Sequence, residues 1–432
     1  MKQTKLSVAI KATLLGTAIA SAPAAFASEK DILDTLKANG TISQAQYDEL
    51  YEKASDSVTV STKGGHLKFK SGDAKFQLGG RLMADYAAIS DDRNLDGDGS
   101  EFRRARLFVK GQIFNDWGFK AQYDFAEDEV TAKDLYIAYD GFDSTSIKVG
   151  NTFMPSGLEA QTSSKYITFM ERSMIQDVFA VGRKNGVSVT TNGDNWTLQG
   201  GLHMQGVSNA NNGRDEDYGY GVRGTFAPLV GKTQAVHLGA SFSHQEFDDN
   251  GTERFRARPE IHTINTRPFD TKIDGVESTD NYGLEAAAVM GPFSLQTEYF
   301  AKEVQTANGD LDLDGWYAYG SYFLTGESRS YKGSKGVFGR VKPKSVVGKG
   351  GIGAWELGVR YSSIDLYDGL ATVPGINTAG EEGEVLTIGV NWYATPTIRF
   401  MANYVQSTVE RTGTLLADED IDAFQVRAQI DF

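Results

Sequence analysis

The chain has 432 residues, 40% of them apolar and 11% aromatic, with a formal net charge of −14. This composition excludes a disordered chain, allows one large barrel or two to three soluble domains, and argues against a nucleic-acid binder. Cysteine is absent, which removes disulfides, thiolate catalysis and cysteine metal sites.

Residues 1–27 read as a secretory signal peptide. Lys2, Lys5 and Lys11 form the positive start, Ala12 to Ala20 the apolar core, and Ala25-Phe26-Ala27 the small-x-small exit. With those three lysines removed, the 43 basic residues fall to 40 against 57 acidic ones, so the mature net charge is −17. Any local surplus of positive charge is then informative. Residues 28–55 carry helical periodicity, with Ile32, Leu33 and Leu36 on one face, Gly40 suited to a C-terminal cap, and Ser43 with Gln46 as a capping box. A short periplasmic helical hairpin is expected, either a subunit contact or an ordered spacer.

After the signal no apolar run is long enough for a spanning helix, so residues 56–432 form either soluble domains or a barrel. Alternation places sixteen strand starts near Phe76, Phe102, Gly118, Lys133, Ser146, Gly186, Trp196, Tyr218, Val236, Tyr282, Phe293, Trp316, Ala354, Glu384, Thr397 and Ile421. Short turns at 115–117, 141–145, 191–195, 291–292 and 394–396 alternate with long stretches at 90–101, 151–185, 207–217, 246–281, 303–315, 366–383 and 407–420. Segregation of loop length by parity fits a barrel with two unlike rims. All five tryptophans, Trp117, Trp196, Trp316, Trp355 and Trp392, fall near expected strand ends, as in an aromatic girdle. The last strand alternates Phe424, Val426, Ala428, Ile430 and Phe432 with Gln425, Arg427, Gln429 and Asp431. On its own it fits a soluble sandwich and a membrane barrel equally. The whole pattern predicts an all-β fold: a 16-stranded antiparallel transmembrane β-barrel with a short N-terminal helical segment.

If Ala105, Leu107 and Val109 face lipid, then Arg104, Arg106 and Lys110 face inward, and the same parity sends in Arg81, Lys120, Asp134 and Lys148. Asp85 and Asp124 dilute this basic wall. Stretch 151–185 carries its own apolar residues, so it packs on the inner wall and narrows the pore. Arg254, Arg256 and Arg258, at i, i+2 and i+4, share one side of an extended segment, either as an anion relay or as a charged loop edge. Stretch 325–353 holds Arg329, Lys332, Lys335, Arg340, Lys342, Lys344 and Lys349 against Glu327, net +6. By parity it lies on the periplasmic rim near Lys63, Lys68 and Lys70, either as a basic exit cluster or as a solvated glycine-rich segment. Asp92 to Gly97 begins like a calcium loop but has Arg103 at the twelfth position, and the five histidines lack metal-ligand spacing.

The runs FRRARLFVKGQIFNDWGFKAQYDF (102–125), KDLYIAYDGF (133–142), IKVG (147–150), GLEAQTSSKYITFMER (157–172), LTGESRSY (324–331), FGRVKPK (338–344), GAWELGVRYSSIDL (353–366) and IGVNWYATP (388–396) resemble the phosphate-selective porin O and P family. The resemblance covers nearly all of the mature chain. It implies a homotrimer of sixteen-stranded barrels that pass anions, with Arg81, Arg103 and Arg104 on the wall, the inward Asp134 and Lys148, and Ser163, Ser164 and Arg172 on the folded loop. The phosphate-selective members have a lysine directly after Gly-Leu-Glu where this chain has Ala160, and Lys165 is the candidate substitute.

The expectation is an outer-membrane porin of a Gram-negative bacterium, meeting lipid outside and small anions inside, without cofactor, metal or nucleic acid. A passive anion-preferring channel for phosphate or a related oxyanion leads, and a general small-solute porin without phosphate selectivity is the alternative. No nucleophile with an adjacent base marks an enzyme.

Overall fold

The final strand shows which way the wall faces. Phe424 is 51% exposed while its neighbour-but-two Arg427 is 2% exposed, so apolar side chains point out and polar ones in. Leu238, Leu284, Leu295, Val359 and Ile430 are likewise exposed, whereas His237, Glu285, Ser294 and Arg360 are buried. A soluble sandwich buries its apolar face; an apolar belt around a polar interior is the arrangement of a barrel in lipid.

The computed structural model describes residues 29–55, 58–62, 65–93, 96–126, 129–204, 206, 216–367, 380–412 and 417–432. The expected signal peptide and Lys63 lie outside these residues. The chain divides into two units, Met1–Thr59 and Val60–Phe432. In the first, α1 (Glu29–Ala38) and α2 (Gln44–Ser55) form the expected helix pair. Gly40 adopts φ +68°, the left-handed conformation of a helix stop, and Ser43 and Gln46 exchange the two hydrogen bonds of a capping box, at 3.0 and 3.3 Å. Tyr47 donates to Asp34 at 2.5 Å across the pair.

The strands, in chain order, are β1 (Thr59–Ser61), β2 (Leu67–Ser71), β3 (Ala74–Asp91), β4 (Gly99–Ile113), β5 (Trp117–Asp124), β6 (Thr131–Tyr139), β7 (Thr145–Phe153), β8 (Arg183–Asn192), β9 (Trp196–His203), β10 (Tyr218–Val230), β11 (Gln234–Ala257), β12 (Phe269–Met290), β13 (Phe293–Thr306), β14 (Gly309–Phe323), β15 (Tyr331–Lys332), β16 (Val337–Phe338), β17 (Ala354–Asp365), β18 (Gly380–Tyr393), β19 (Ile398–Thr412) and β20 (Glu419–Asp431). β3 to β14 and β17 to β20 make the sixteen-stranded antiparallel wall, closed by β20 on β3 from Ile421↔Asp91 to Asp431↔Arg81. All sixteen expected strands are present. β1 and β2 extend the sheet, and β15 with β16 forms a separate small hairpin.

Several long stretches turn out to be wall rather than loop. β13 and β14 run on to Thr306 and from Gly309, so 303–315 is mostly hairpin, and β11 and β12 reduce 246–281 to a connection at 258–268. Paired extended backbone satisfies its own hydrogen bonds above the lipid, which a polar loop of that length would not. Trp117, Trp196, Trp355 and Trp392 sit near strand ends as expected, but Trp316 lies in the middle of β14.

Three segments turn into the barrel. The β7–β8 connection, with α3 (Leu158–Gln161) and α4 (Ile175–Phe179), buries Leu158, Ile167, Phe169, Met170, Ile175 and Phe179. The β11–β12 connection buries Ile261 and Ile264 in the same apolar cluster as Phe169 and Phe179. From the short-turn side, β15 and β16 bring Tyr331 and Phe338 against Leu158. The first was expected from its apolar residues; the other two were not.

Candidate functional site

The wall turns cations inward by one local device and by parity. Met83 pairs with Arg104 but Ala84 with Phe102, so Arg103 is an extra residue in β4. Strict alternation would point Arg103 away from Arg104. A bulge breaks the alternation, and both guanidiniums face the lumen, meeting Glu171 of the inward loop.

The β7–β8 loop is held by charged groups on the opposite wall. The Glu298 carboxylate on β13 accepts from the Leu158 and Glu159 amides at 2.5 and 2.9 Å, capping α3. Gly157 makes room for that cap, because a Cβ would lie 2.1 Å from the Glu298 Oε1 and the carboxylate would have to move. Arg399 donates to the Ile167 and Thr168 carbonyls, both at 2.7 Å, and Arg427 bridges Asp85 and Glu171. Burial would raise the Glu171 carboxyl, but the Arg103, Arg104 and Arg427 guanidiniums outweigh it and hold it well below the usual carboxylate range. Arg360, 0% exposed, joins the two outer loops: it binds Glu260 of the β11–β12 connection and Glu159 of α3, and donates to the Glu171 carbonyl at 3.1 Å. Ser362 and Thr387 complete the Glu260 cradle.

With the loop docked on that side, a chamber of about 280 Å³ remains against β3 to β9. Arg81, Arg104, Arg106, Lys120, Lys148, Arg172 and Arg183 line it, against one carboxylate, Asp134. Lys120 and Arg183 both pair with Asp134, and Arg106 pairs with Asp124. Arg81 donates to the Ser164 and Ser163 hydroxyls at 2.6 and 3.4 Å. Arg172 spends its donors on the Glu159, Ala160 and Thr162 carbonyls. Among the described residues Arg81, Lys148 and Arg172 form no salt bridge, and the buried Arg104 Nε has no partner.

A second chamber, also about 280 Å³, opens on the long-loop side and shares Arg104, Phe153, Ala160 and Arg172 with the first. Arg103, Glu171, Asp177, Arg258, His262 and Arg267 also line it. The expected arginine row is corrected here. Phe255 and Ala257 point into the apolar interior, so alternation turns Arg254 and Arg256 outward, and Arg254 pairs with Asp270 with its side chain 55% exposed. Only Arg258, past the strand end, reaches the chamber.

At the short-turn end Lys165 pairs with Asp431, as does Arg340, which also reaches the Tyr166 hydroxyl. Burial lowers Lys165, and Arg81 and Arg340 add to the effect while Asp431 opposes it. Lys110 feels the charges of Lys120, Lys335, Lys165 and Lys68. Lys332 adjoins Tyr166 at 5.9 Å. Lys70, Lys342, Lys344 and Lys349 are exposed and meet no chamber, while Arg329 is buried over Phe338 at 3.5 Å. The residues not anticipated are Arg183, Arg267, Glu159, Glu260, Glu298 and Arg360. Glu298 and Arg360 were open to parity reasoning, since Leu295, Thr297, Tyr299 and Leu357, Val359 mark the lipid side; Glu260 carried no local signal.

The model of the family described as phosphate-selective porin O and P matches residues 76–432. Porin O of Pseudomonas aeruginosa is 29% identical, covering 87% of this chain and 92% of its own length. An uncharacterized protein of Caulobacter vibrioides is 33% identical over 82% of this chain and 72% of its own. In fold, the anion-selective porin from Comamonas acidovorans superposes with TM-score 0.52 at 14% identity, over 83% of this chain and all, 100%, of its own. The outer-membrane OmpT of Vibrio cholerae does so at 0.54 and 12%, over 84% and 99%. The chain thus belongs to the phosphate-selective porin O and P family, outer-membrane β-barrel porins of Gram-negative bacteria.

Proposed function

We propose that the chain is a passive anion-preferring channel for phosphate or a related oxyanion, with the folded loop within 151–185 as its constriction. The observation that carries this is the first chamber: seven cations against one carboxylate, in a chain of net charge −14. Guanidiniums fork onto oxyanions, and the Ser163 and Ser164 hydroxyls replace lost hydration without adding charge. Conduction needs binding strong enough to enter and weak enough to leave. Asp134 between Lys120 and Arg183 supplies that weakening, because it competes with the anion for both cations. Arg258 at one end and Lys110, Lys165 and Lys335 at the other extend the positive path beyond the chamber.

Ala160 favours a second reading. It stands where both chambers meet, and in place of the family's lysine it offers no charge. A porin that passes small solutes with little preference fits that loss. A homotrimer accords with the trimer form described for the V. cholerae OmpT. The test is the reversal potential of the full chain in a planar bilayer under a potassium chloride gradient. An anion channel takes the sign of the chloride equilibrium potential; a value near zero supports the unselective pore, and the cation sign refutes the proposal. Block of the chloride current by inorganic phosphate then tests the substrate.

A further inference from the structure

The second chamber differs from the first in its acceptors. Asp177 is exposed and lines it; among the described residues it forms no salt bridge, and it accepts a hydrogen bond from the Arg258 amide at 3.4 Å. Beside it in sequence, Gln176 is 6% exposed. The Gln176 amide is fixed in orientation, since its Nε2 donates to the Glu298 carboxylate at 3.3 Å, and this leaves Oε1 buried without a partner. A carboxylate and a buried amide side chain thus line the same cavity as two arginines, Arg258 and Arg267. The other carboxylates are committed, Glu171 to Arg103 and Arg427, and Glu260 to Arg360.

Such a surface is wasted on a simple anion, which Asp177 repels. It is complementary to a molecule that carries an oxyanion and an ammonium at once: the guanidiniums take the first, the exposed Asp177 the second. Resting on the anion-channel reading, we infer that the second chamber is a recognition site for small zwitterionic oxyanions of the aminoalkyl phosphate or phosphonate class. The junction below agrees. Arg104, Phe153, Ala160 and Arg172 line both chambers, so an ammonium passing from one to the other meets two guanidiniums but not the further charge that a lysine at position 160 would impose. The space suffices: about 280 Å³ is room for about nine waters at roughly 30 Å³ each, more than such a molecule displaces.

The test compares 2-aminoethyl phosphate with ethyl phosphate as blockers of the chloride current through the full chain in a planar bilayer at pH 7. The two share the phosphate and differ in the amine, and the lower net charge of the zwitterion works against the inference. The expected half-block concentration for 2-aminoethyl phosphate is about fivefold below that for ethyl phosphate, the upper worth of a partly exposed ion pair. Asp177→Asn should bring the ratio under about twofold, and Ala160→Lys should shrink it by placing an ammonium at the junction. Equal block by both esters in the natural chain, or an undiminished ratio in Asp177→Asn, overturns the inference while leaving the anion channel standing. Block by neither ester, with a reversal potential of the wrong sign, overturns both.

Discussion

Arg360→Met is the most searching change to the interior. The guanidinium is completely buried and stands between two carboxylates, Glu159 and Glu260, that are themselves buried. Removing one partner of a buried pair costs about 3–5 kcal/mol, because a charge is left in low dielectric without compensation. Here that cost falls on the docking of two loops, not on the wall, whose continuous strand pairing does not involve the side chain. A penalty of that size shifts the docked-to-released ratio about a hundredfold or more. The variant should therefore keep its barrel, read as resistance to denaturation by detergent without boiling, yet show larger single-channel conductance, weaker anion selectivity and proteolytic cleavage within 154–182. Adding Glu159→Gln and Glu260→Gln removes both stranded charges and should restore much of the docking, since neutral replacement of an ion network is close to neutral in energy. Unchanged conductance and protection in Arg360→Met would refute the view that charge pairing, rather than the apolar packing of Phe169 and Phe179, holds the loops.

Gly157→Ala should release the same loop from the other side, because the added carbon would stand 2.1 Å from the Glu298 Oε1, whereas Gly224→Ala meets nothing within 4 Å and should match the parent in conductance. Arg258→Ala should lower the chloride preference in the reversal-potential assay, while Arg254→Ala with Arg256→Ala, on the outer face, should leave it as it is; a loss in the latter pair would restore the relay of three. Loop docking should also respond to acid in a defined window. The Glu171 carboxyl is depressed when docked, so it stabilises the docked loop above its free value of about 4.3 and loses that contribution as pH falls through the lowered one. The Glu171 contribution should therefore show as a rise in conductance as pH falls below about 4.

Alternation made the wall legible. Charges on a lipid face are expensive, so once the alternating runs together are read as a barrel wall, each run fixes which side of its own strand is wet, and Arg81, Arg104, Lys120, Asp134 and Lys148 follow from that. What alternation does not carry is any departure from it. The bulge at Arg103 and the outward turn of Arg254 and Arg256 both depend on how a neighbouring strand is registered, through Met83↔Arg104 in one case and Arg256↔Asp270 in the other. The inward turn of the β11–β12 connection was less legible still. Its anchor, Glu260, is an isolated glutamate in a polar stretch, and its partners Arg360, Ser362 and Thr387 lie a hundred or more residues away, at separations of 100, 102 and 127. Each partner faces in by its own parity, but nothing in the order of residues says which loop will meet it.

The interior then divides one residue type between two tasks. Arg223, Arg360, Arg399 and Arg427 sit on β10, β17, β19 and β20, each buried and each bound to carboxylates or to carbonyls of an inward segment. Arg81, Arg104, Arg106 and Arg183 sit on β3, β4 and β8 and face open space. The difference lies in what faces them, not in the side chain. Loops docked on one half of the cylinder consume the fork geometry of the guanidiniums there, and leave the other half with cations that outnumber their carboxylate partners, Asp124, Asp134 and Glu171. On the proposed function, an anion occupies that second half and supplies the missing counter-charge. The same asymmetry explains how a chain with more acidic than basic residues can hold a positive cavity: Glu159, Glu171, Glu260 and Glu298 brace the loops, and among the carboxylates Asp134 alone lines the first chamber.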